Sequence, residues 1–418
     1  MSTAPSAPAG RPSVFDRLLG SFTEVRPGEG APAALMLVSL FLLLVGYYVL
    51  KTVREPLILE RGGAEVASYS AAGQAIVLIG FIPLFGWLAS RVPRLKLVVG
   101  TIGFFIVCIE LFFLAVATDV PHVGVAFYIW LGIFNNATVA LFWSFANDVY
   151  SRESGERLFP MIAIGATAGS PLGALIAGKL FDAGIKGHQM FHITAVLLVV
   201  HLALYVLVDR RQRAGSASRV EPPPLPGPNG FALTFRSPYI RLIALLLVVL
   251  NLVNSNGEYL VRRYVTEAAV GAADKAAFIG SFYGQYQFWV AVGAMLLQVL
   301  AVSRIVKHFG IAGVVLIPAF LSLGNYGLAA VGAGFAIFRW TKTAENATDY
   351  SIMNTAKQML WLPTTRAEKY KAKQAVDTFF VRLGDVASAA AVFGAVTVLG
   401  LGVRGFGTLN TLFVAGGL

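Results

Sequence analysis

The sequence predicts an all-α membrane protein built from two six-helix halves related by a parallel repeat. Three observations predict it. Hydrophobic residues make up 56% of the chain and charged residues only 13%, a balance outside the soluble globular range. Apolar runs of membrane-spanning length follow one another from residue 33 to residue 400, separated by short polar turns. Ordered pairs of residues in the first half recur in the second at nearly constant separation.

Residues 1–32 are rich in Ala, Pro, Gly and Ser and read as a solvated tail. The first half, 33–209, then carries spans at 33–53, 70–89, 97–117, 123–145, 161–180 and 190–208. Pro56 is expected to close the first span, whose end places Tyr47, Lys51 and Arg54 on one helical face. The fourth span aligns Asn136, Trp143 and Asn147, and its exit carries Asp148 and Arg157. The fifth repeats Gly165, Gly169, Gly173 and Ala177 at four-residue steps, a small-residue ridge that lets another helix approach closely.

A Pro-, Ser- and Gly-rich linker is expected within 210–235, and the second half, 236–418, follows. Its spans are read at 239–261, 278–302, 311–331, 335–360 and 375–400. The final apolar stretch, 406–418, falls short of the roughly 17 residues a span needs. It reads as a truncated twelfth helix or as no span at all.

Lysines and arginines gather in the tail and in the segments after spans two, four, six, eight and ten. The opposite segments hold only Lys51, Arg54, Arg61, Lys179, Lys186, Arg262, Arg263, Lys275 and Arg404. The bias places the N-terminus inside. It also gives the net charge of +11 a membrane explanation and leaves no call for nucleic acid. One cysteine, Cys108, excludes an intrachain disulfide and a cysteine metal site. His188 and His192 lack a third ligand, so no metal or other cofactor is expected. No catalytic set and no GxxxxGK[ST] phosphate loop occurs, which argues against an enzyme and against ATP-driven transport.

The repeat is specific. Gly73-Gln74 recurs as Gly284-Gln285, and Tyr48 and Lys51 match Tyr259 and Arg262, both at an offset of 211. Asn136-Ala137-Thr138 recurs as Asn346-Ala347-Thr348 at 210, and Gly169-Ser170 meets Gly384-Asp385 at 215. Each match joins the same-numbered span of the two halves. This resembles the major-facilitator arrangement, with a site near the midplane between halves.

Polar residues collect where that arrangement needs a cavity. On the tenth span, Arg339, Lys342, Asn346, Asp349 and Met353 fall within about a quarter turn, at about 100° per residue. A charge at the bilayer centre costs about 2.5–3.5 kcal/mol on insertion scales, so such a stripe faces water or a partner. The seventh span aligns Asn251, Asn254, Ser255, Glu258 and Arg262. Candidate substrate-binding residues are therefore Lys51, Arg54, Asn136, Asn147, Asn254, Glu258, Arg262, Arg339, Lys342, Asn346 and Asp349. Candidate gating or coupling residues are Asp148, Arg157, Glu345, Arg382 and Asp385. Guanidinium and ammonium groups clamp phosphate or carboxylate, and the carboxylates can exchange ion pairs as the halves rock. Bland roles compete: snorkelling explains charges near the span ends such as Lys51, Arg54 and Arg262, and Arg382 with Asp385 can simply tie two helices. The basic run 366–373 suits anionic lipid or a gate.

Leu50-Lys51-Thr52-Val53-Arg54-Glu55, Phe142-Trp143-Ser144-Phe145-Ala146-Asn147-Asp148, Asp349-Tyr350-Ser351 and Lys371-Ala372-Lys373-Gln374-Ala375-Val376-Asp377 resemble the ATP:ADP antiporter family over about residues 35–401. The resemblance implies exchange of ATP against ADP, with membrane-embedded lysines and glutamates handling the phosphates; Lys51 matches one such lysine. Two positions depart from the family pattern. Leu131, with Asn135 and Asn136 beside it, stands where the exchangers carry a glutamate. Leu383-Gly384-Asp385-Val386-Ala387-Ser388 replaces their Leu-Gly-Lys-Ser-Gly-Gly, putting a carboxylate where a cation belongs.

The expected protein is a monomeric carrier in a bacterial cytoplasmic membrane, moving a nucleotide or related anionic metabolite by alternating access. The alternatives are a proton-coupled carrier of another solute, using Glu258, Glu345, Asp349 or Asp385, and a membrane subunit that transports nothing.

Overall fold

The computed structural model describes residues 24–26, 28–213 and 229–417. The tail expected over 1–32 lies outside the described residues except for 24–26 and 28–32, and the linker expected over 210–235 lies outside them over 214–228.

The chain is a series of antiparallel helices running between two faces. The first half comprises α1 (Gly30–Ala89), α2 (Arg94–Ala117), α3 (Val123–Val149), α4 (Arg152–Asp182) and α5 (Met190–Arg213). A short α6 (Gly230–Arg236) leads into the second half. There α7 (Pro238–Ala268), α8 (Lys275–Leu300) and α9 (Val302–Ala330) are followed by α10 (Phe335–Thr348) and α11 (Asn354–Met359). A further membrane-length helical stretch, Lys373–Val398, has α12 (Val381–Val392) as its regular centre, and α13 (Val403–Gly417) comes last. Among the described residues eight helices are long and apolar enough to cross a membrane. Neither α8, with Gln285 and Gln287, nor α10, with its charged stripe, is one of them.

Helix α1 differs from expectation. It does not stop at Pro56 but continues as one 60-residue element. Losing one N–H to proline removes a rung of the ladder, yet Val53, Pro56, Ile58 and Leu59 are buried, so packing holds the helix through it. The reversal falls instead at Gly63, with φ 69° and ψ −174°, a conformation open essentially to glycine alone. Spans one and two are thus the two arms of α1.

The glycine ridge on α4 meets the first arm of α1. A Cβ on Gly169 would lie 2.6 Å from the Phe41 carbonyl oxygen, and one on Gly173 2.5 Å from that of Val45. The absence of side chains therefore sets the helix separation. Farther along α4, Gly178 faces Gly284 of α8, with 3.1 Å between a Cβ placed on Gly178 and the Gly284 Cα. The second arm of α1 packs on α12. These two crossings, α4 on α8 and α1 on α12, join the halves. On α2, Phe104, Val107, Leu111 and Leu114 form an exposed apolar stripe of the kind a bilayer covers.

The faces are marked by polar contacts. At the first face Arg94 pairs with Asp148 at 3.3 Å and with Asp209 at 2.8 Å, Arg157 pairs with Glu29 at 3.0 Å, and the Tyr239 hydroxyl donates to the Leu360 carbonyl. At the second face Arg61 meets Asp119, and the Tyr264 hydroxyl donates to the Ala333 carbonyl.

Candidate functional site

Between the halves lies a cavity of about 690 Å³, lined by α1, α3, α4, α7, α8, α10 and α11. That volume lies within the range of small-molecule sites. Each wall has a local cause. The helical turn from Tyr48 to Glu55 presents Tyr48, Lys51, Arg54 and Glu55 together, and α7 presents Asn254, Glu258 and Arg262 at four-residue intervals. On α8, Tyr283, Gln287, Ala291, Ala294 and Gln298 follow the same rule, their small members leaving room in the middle.

The floor is an ion cluster. Glu55 accepts from Arg54 Nε at 2.9 Å and, across the boundary between halves, from Arg262 Nε at 3.2 Å. Arg262 also donates to the Tyr128 hydroxyl at 3.1 Å, and the Arg54 guanidinium lies 4.2 Å from the centroid of the same ring. Glu55 is 1% exposed and Arg262 5%. Charges this buried persist only when paired and hydrogen-bonded. Below them Glu65 accepts from Arg263 and from the Tyr259 hydroxyl, each at 2.9 Å, again across the boundary. Ile58, Leu59, Ala64 and Ala67 share one apolar cluster with Tyr259, Val265, Val392 and Phe406. The Tyr69 hydroxyl lies 3.2 Å from that of Thr397, and Ser281 donates to Asp182. These cross-half links lie toward the second face, while the lining runs on to Gln298 and Asn354 near the first.

Above the floor, Glu258 accepts from the Asn346 amide nitrogen at 2.7 Å and from the Tyr286 hydroxyl at 3.4 Å, so α7, α8 and α10 meet on one carboxylate. Lys51 is different. Its Nζ lies 4.9 Å from the Tyr48 ring centroid, and among the described residues it pairs with no carboxylate. Of the lining residues Tyr283, Gln287 and Asn346, the buried hydroxyl, Oε1 and Oδ1 have no hydrogen-bond partner among the described residues.

The structure thus brings Lys51, Arg54, Asn254, Glu258, Arg262 and Asn346 of the predicted residues to one cavity. It does not bring the others there. Lys342 is fully buried within the second half, its Nζ 3.0 Å from Asn254 Oδ1, 3.2 Å from the Tyr326 hydroxyl and 3.3 Å from Glu345. Glu345 in turn accepts from Ser322, Asn325 and Tyr326. Arg339 reaches Gln285 at 2.9 Å and lies over the Phe282 and Trp340 rings. Asp349 opens a π-helical turn, Asp349–Met353, and lines a second cavity of about 240 Å³ with Lys357, its ion partner at 3.4 Å. Asn136 donates to the Gly132 carbonyl of its own helix, and Asn147 lines a separate pocket at the first face. Asp148 and Arg157 occupy the first-face ion pairs within the first half.

Arg382 and Asp385 pair at 3.3 Å on α12. Asp385 also accepts from Asn251 and Ser255 of α7, each at 2.8 Å. Gly384 lets the two helices touch there, since a Cβ would lie 2.7 Å from the Val248 carbonyl oxygen. A cavity of about 120 Å³ beside this contact adjoins Glu258 and Arg262.

Glu55, Tyr128, Tyr283, Tyr286, Gln287 and Tyr350 line the main cavity but were not among the residues chosen from the sequence. For α8 the signal was present, as the spacing 283, 287, 291, 294, 298 marks one helix face. Tyr128 lies in an apolar run that carries no such signal.

No family model matches the chain. It is 22% identical over 317 residues to ADP,ATP carrier protein 1 of Chlamydia pneumoniae, covering 66% of this chain and 61% of that protein. It is 23% identical over 309 residues to ADP,ATP carrier protein 4 of Rickettsia felis, covering 63% and 59%. The chain thus spans about three fifths of the length of these curated relatives. The fold is similar to that of the nucleoside transporter NupG, with a TM-score of 0.66 and 14% identity over 92% of this chain and 96% of that one. It is also similar to a bacterial homologue of the iron transporter ferroportin, with a TM-score of 0.67 and 15% identity over 93% and 98%. These relatives are carriers and transporters rather than enzymes. The chain is a multi-pass α-helical membrane protein of major-facilitator-like fold, similar in sequence to ADP,ATP carrier proteins of Chlamydia and Rickettsia.

Proposed function

We propose that this protein is a secondary transporter that moves a nucleotide or related anionic metabolite by alternating access. The observation that carries the reading is a cavity between the halves, sealed toward the second face by the Arg54–Glu55–Arg262 cluster and holding Lys51 with no carboxylate partner. A half-buried cation without a carboxylate partner among the described residues favours an anionic ligand. The aromatic rings of Tyr48 and Tyr350 in the lining suit a base. Similarity to ADP,ATP carriers supports the same substrate class.

In this reading the protein works as a monomer in a bacterial inner membrane, with its N-terminus inside. The cavity then opens inward and the ion cluster closes the outside. Tail, halves and linker keep the boundaries 1–32, 33–209, 210–235 and 236–418. Arg54, Glu258, Arg262, Asn254 and Asn346 contact the solute along with Lys51. Arg339, Lys342 and Asn346 hold the second half around it. Asp148 and Arg157 brace the first face, while Arg382 and Asp385 tie α12 to α7. Purified protein in liposomes loaded with unlabelled nucleotide should take up labelled nucleotide, and Lys51→Ala should lower the rate at least about tenfold, the loss of one charge-assisted contact. Absence of exchange with any nucleotide overturns the reading.

Glu258 in the cavity and Asp385 beside it favour a second reading, a proton-coupled carrier. Uptake abolished by a protonophore yet indifferent to nucleotide on the far side supports that one instead.

A further inference from the structure

We infer that the cavity takes a ligand with a single phosphoryl group, a nucleoside monophosphate, in preference to di- and triphosphates. The inference rests on the nucleotide reading of this cavity and narrows it by charge and by hydrogen-bonding sense.

The charge comes from three cations and two carboxylates. Arg54 and Arg262 converge on Glu55, and Glu258 stands in the cavity wall. Lys51 is the cation left without a carboxylate among the described residues. A phosphomonoester, at about −1.5 to −2, comes nearer than a di- or triphosphate to balancing a site with one positive charge in excess. Each further phosphoryl group adds negative charge that must approach Glu258 or displace Glu55 from its two guanidinia. Both moves are costly in a buried site, where like charges repel strongly and a stripped carboxylate has no water to replace its partners.

The far wall asks for the opposite chemistry. The Asn346 amide nitrogen faces Glu258, which leaves Asn346 Oδ1 as an open acceptor. Gln287 Oε1 is a second. Both side chains are more than nine-tenths buried, at 5% and 6% exposure. Both oxygens have almost no accessible surface, so ligand donors such as ribose hydroxyls or an exocyclic amine would satisfy them once the amide side chains turn toward the cavity. The cationic end belongs to α1 in the first half and the acceptor end to α8 and α10 in the second. One ligand with a phosphoryl group at one end and neutral donors at the other therefore spans the boundary that must move.

Binding of adenosine, AMP, ADP and ATP to the purified full-length protein, measured by calorimetry and by thermal unfolding in EDTA to keep the phosphates metal-free, tests this. AMP should bind at least about tenfold more tightly than ADP, ATP or adenosine, and Lys51→Gln should narrow its advantage over adenosine at least about fivefold. ADP or ATP binding as tightly as AMP overturns the single-phosphoryl inference and leaves the nucleotide reading standing. Adenosine binding as tightly as AMP overturns the role of Lys51. Binding of none of the four overturns the nucleotide reading itself. The wild-type series decides these outcomes even if the variant fails to fold.

Discussion

Glu55 of α1 and Arg262 of α7 meet at 3.2 Å across the boundary between the two halves, with both side chains almost wholly out of solvent. Loss of Glu55 strands two guanidinia, at a cost of about 3–5 kcal/mol, whereas loss of Arg262 leaves Glu55 paired with Arg54. Glu55→Ala should therefore lower the unfolding temperature more than Arg262→Ala does. Glu55→Gln keeps the shape and weakens the link. Spin labels at the exposed second-face positions Glu60 and Glu267 should then report a longer mean separation by double electron–electron resonance. An unchanged distance distribution would count against the pair as a closure of that face.

Lys342 and Glu345 form a pair inside the second half, away from the main cavity. Lys342→Ala should destabilise the ligand-free protein by about 3–5 kcal/mol, and adding Glu345→Ala should recover part of that loss, because the double variant leaves no unpaired charge. Chemical denaturation of the single and double variants gives the coupling. A single variant of normal stability but weakened nucleotide binding would assign Lys342 to the substrate instead.

Gly178 and Gly284 let α4 and α8 touch across the boundary. Gly284→Val forces a branched side chain into backbone and should cost about 1–3 kcal/mol in thermal unfolding. Exchange in liposomes should fall further than stability does, since this crossing must slide or roll. Equal losses in both measurements would mark the crossing as static packing.

Asp385 accepts from Asn251 and Ser255 while pairing with Arg382. Asp385→Asn keeps hydrogen-bonding capacity and should cost about 1–2 kcal/mol, whereas Asp385→Lys sets two cations side by side among donors and should cost more than about 3 kcal/mol. Denaturation midpoints of the two variants make the comparison, and a Lys variant as stable as wild type would remove Asp385 from the helix contact.

The fold was legible because spans and repeat are written in hydropathy and in dipeptides such as Gly73-Gln74 and Gly284-Gln285. The glycine ridge of α4 announced a close neighbour, which is α1. The site was legible only in part. Helical periodicity put Arg339, Lys342, Asn346 and Asp349 on one stripe, but each finds a different partner: Gln285 of α8, Tyr326 of α9, Glu258 of α7 and Lys357. Period alone cannot reveal which buried charges satisfy one another. Pro56 misled for a related reason: local propensity argued for an end, and burial of the surrounding turns overrode it.

Helix α1 has one backbone joint, Gly63, between its two arms. The first arm carries Lys51 at the cavity wall, and the second leans on α12 of the opposite half. In the proposed transport cycle, a solute held by Lys51 acts on the first arm, and the two torsions at Gly63 decide how much of that displacement reaches the crossing with α12.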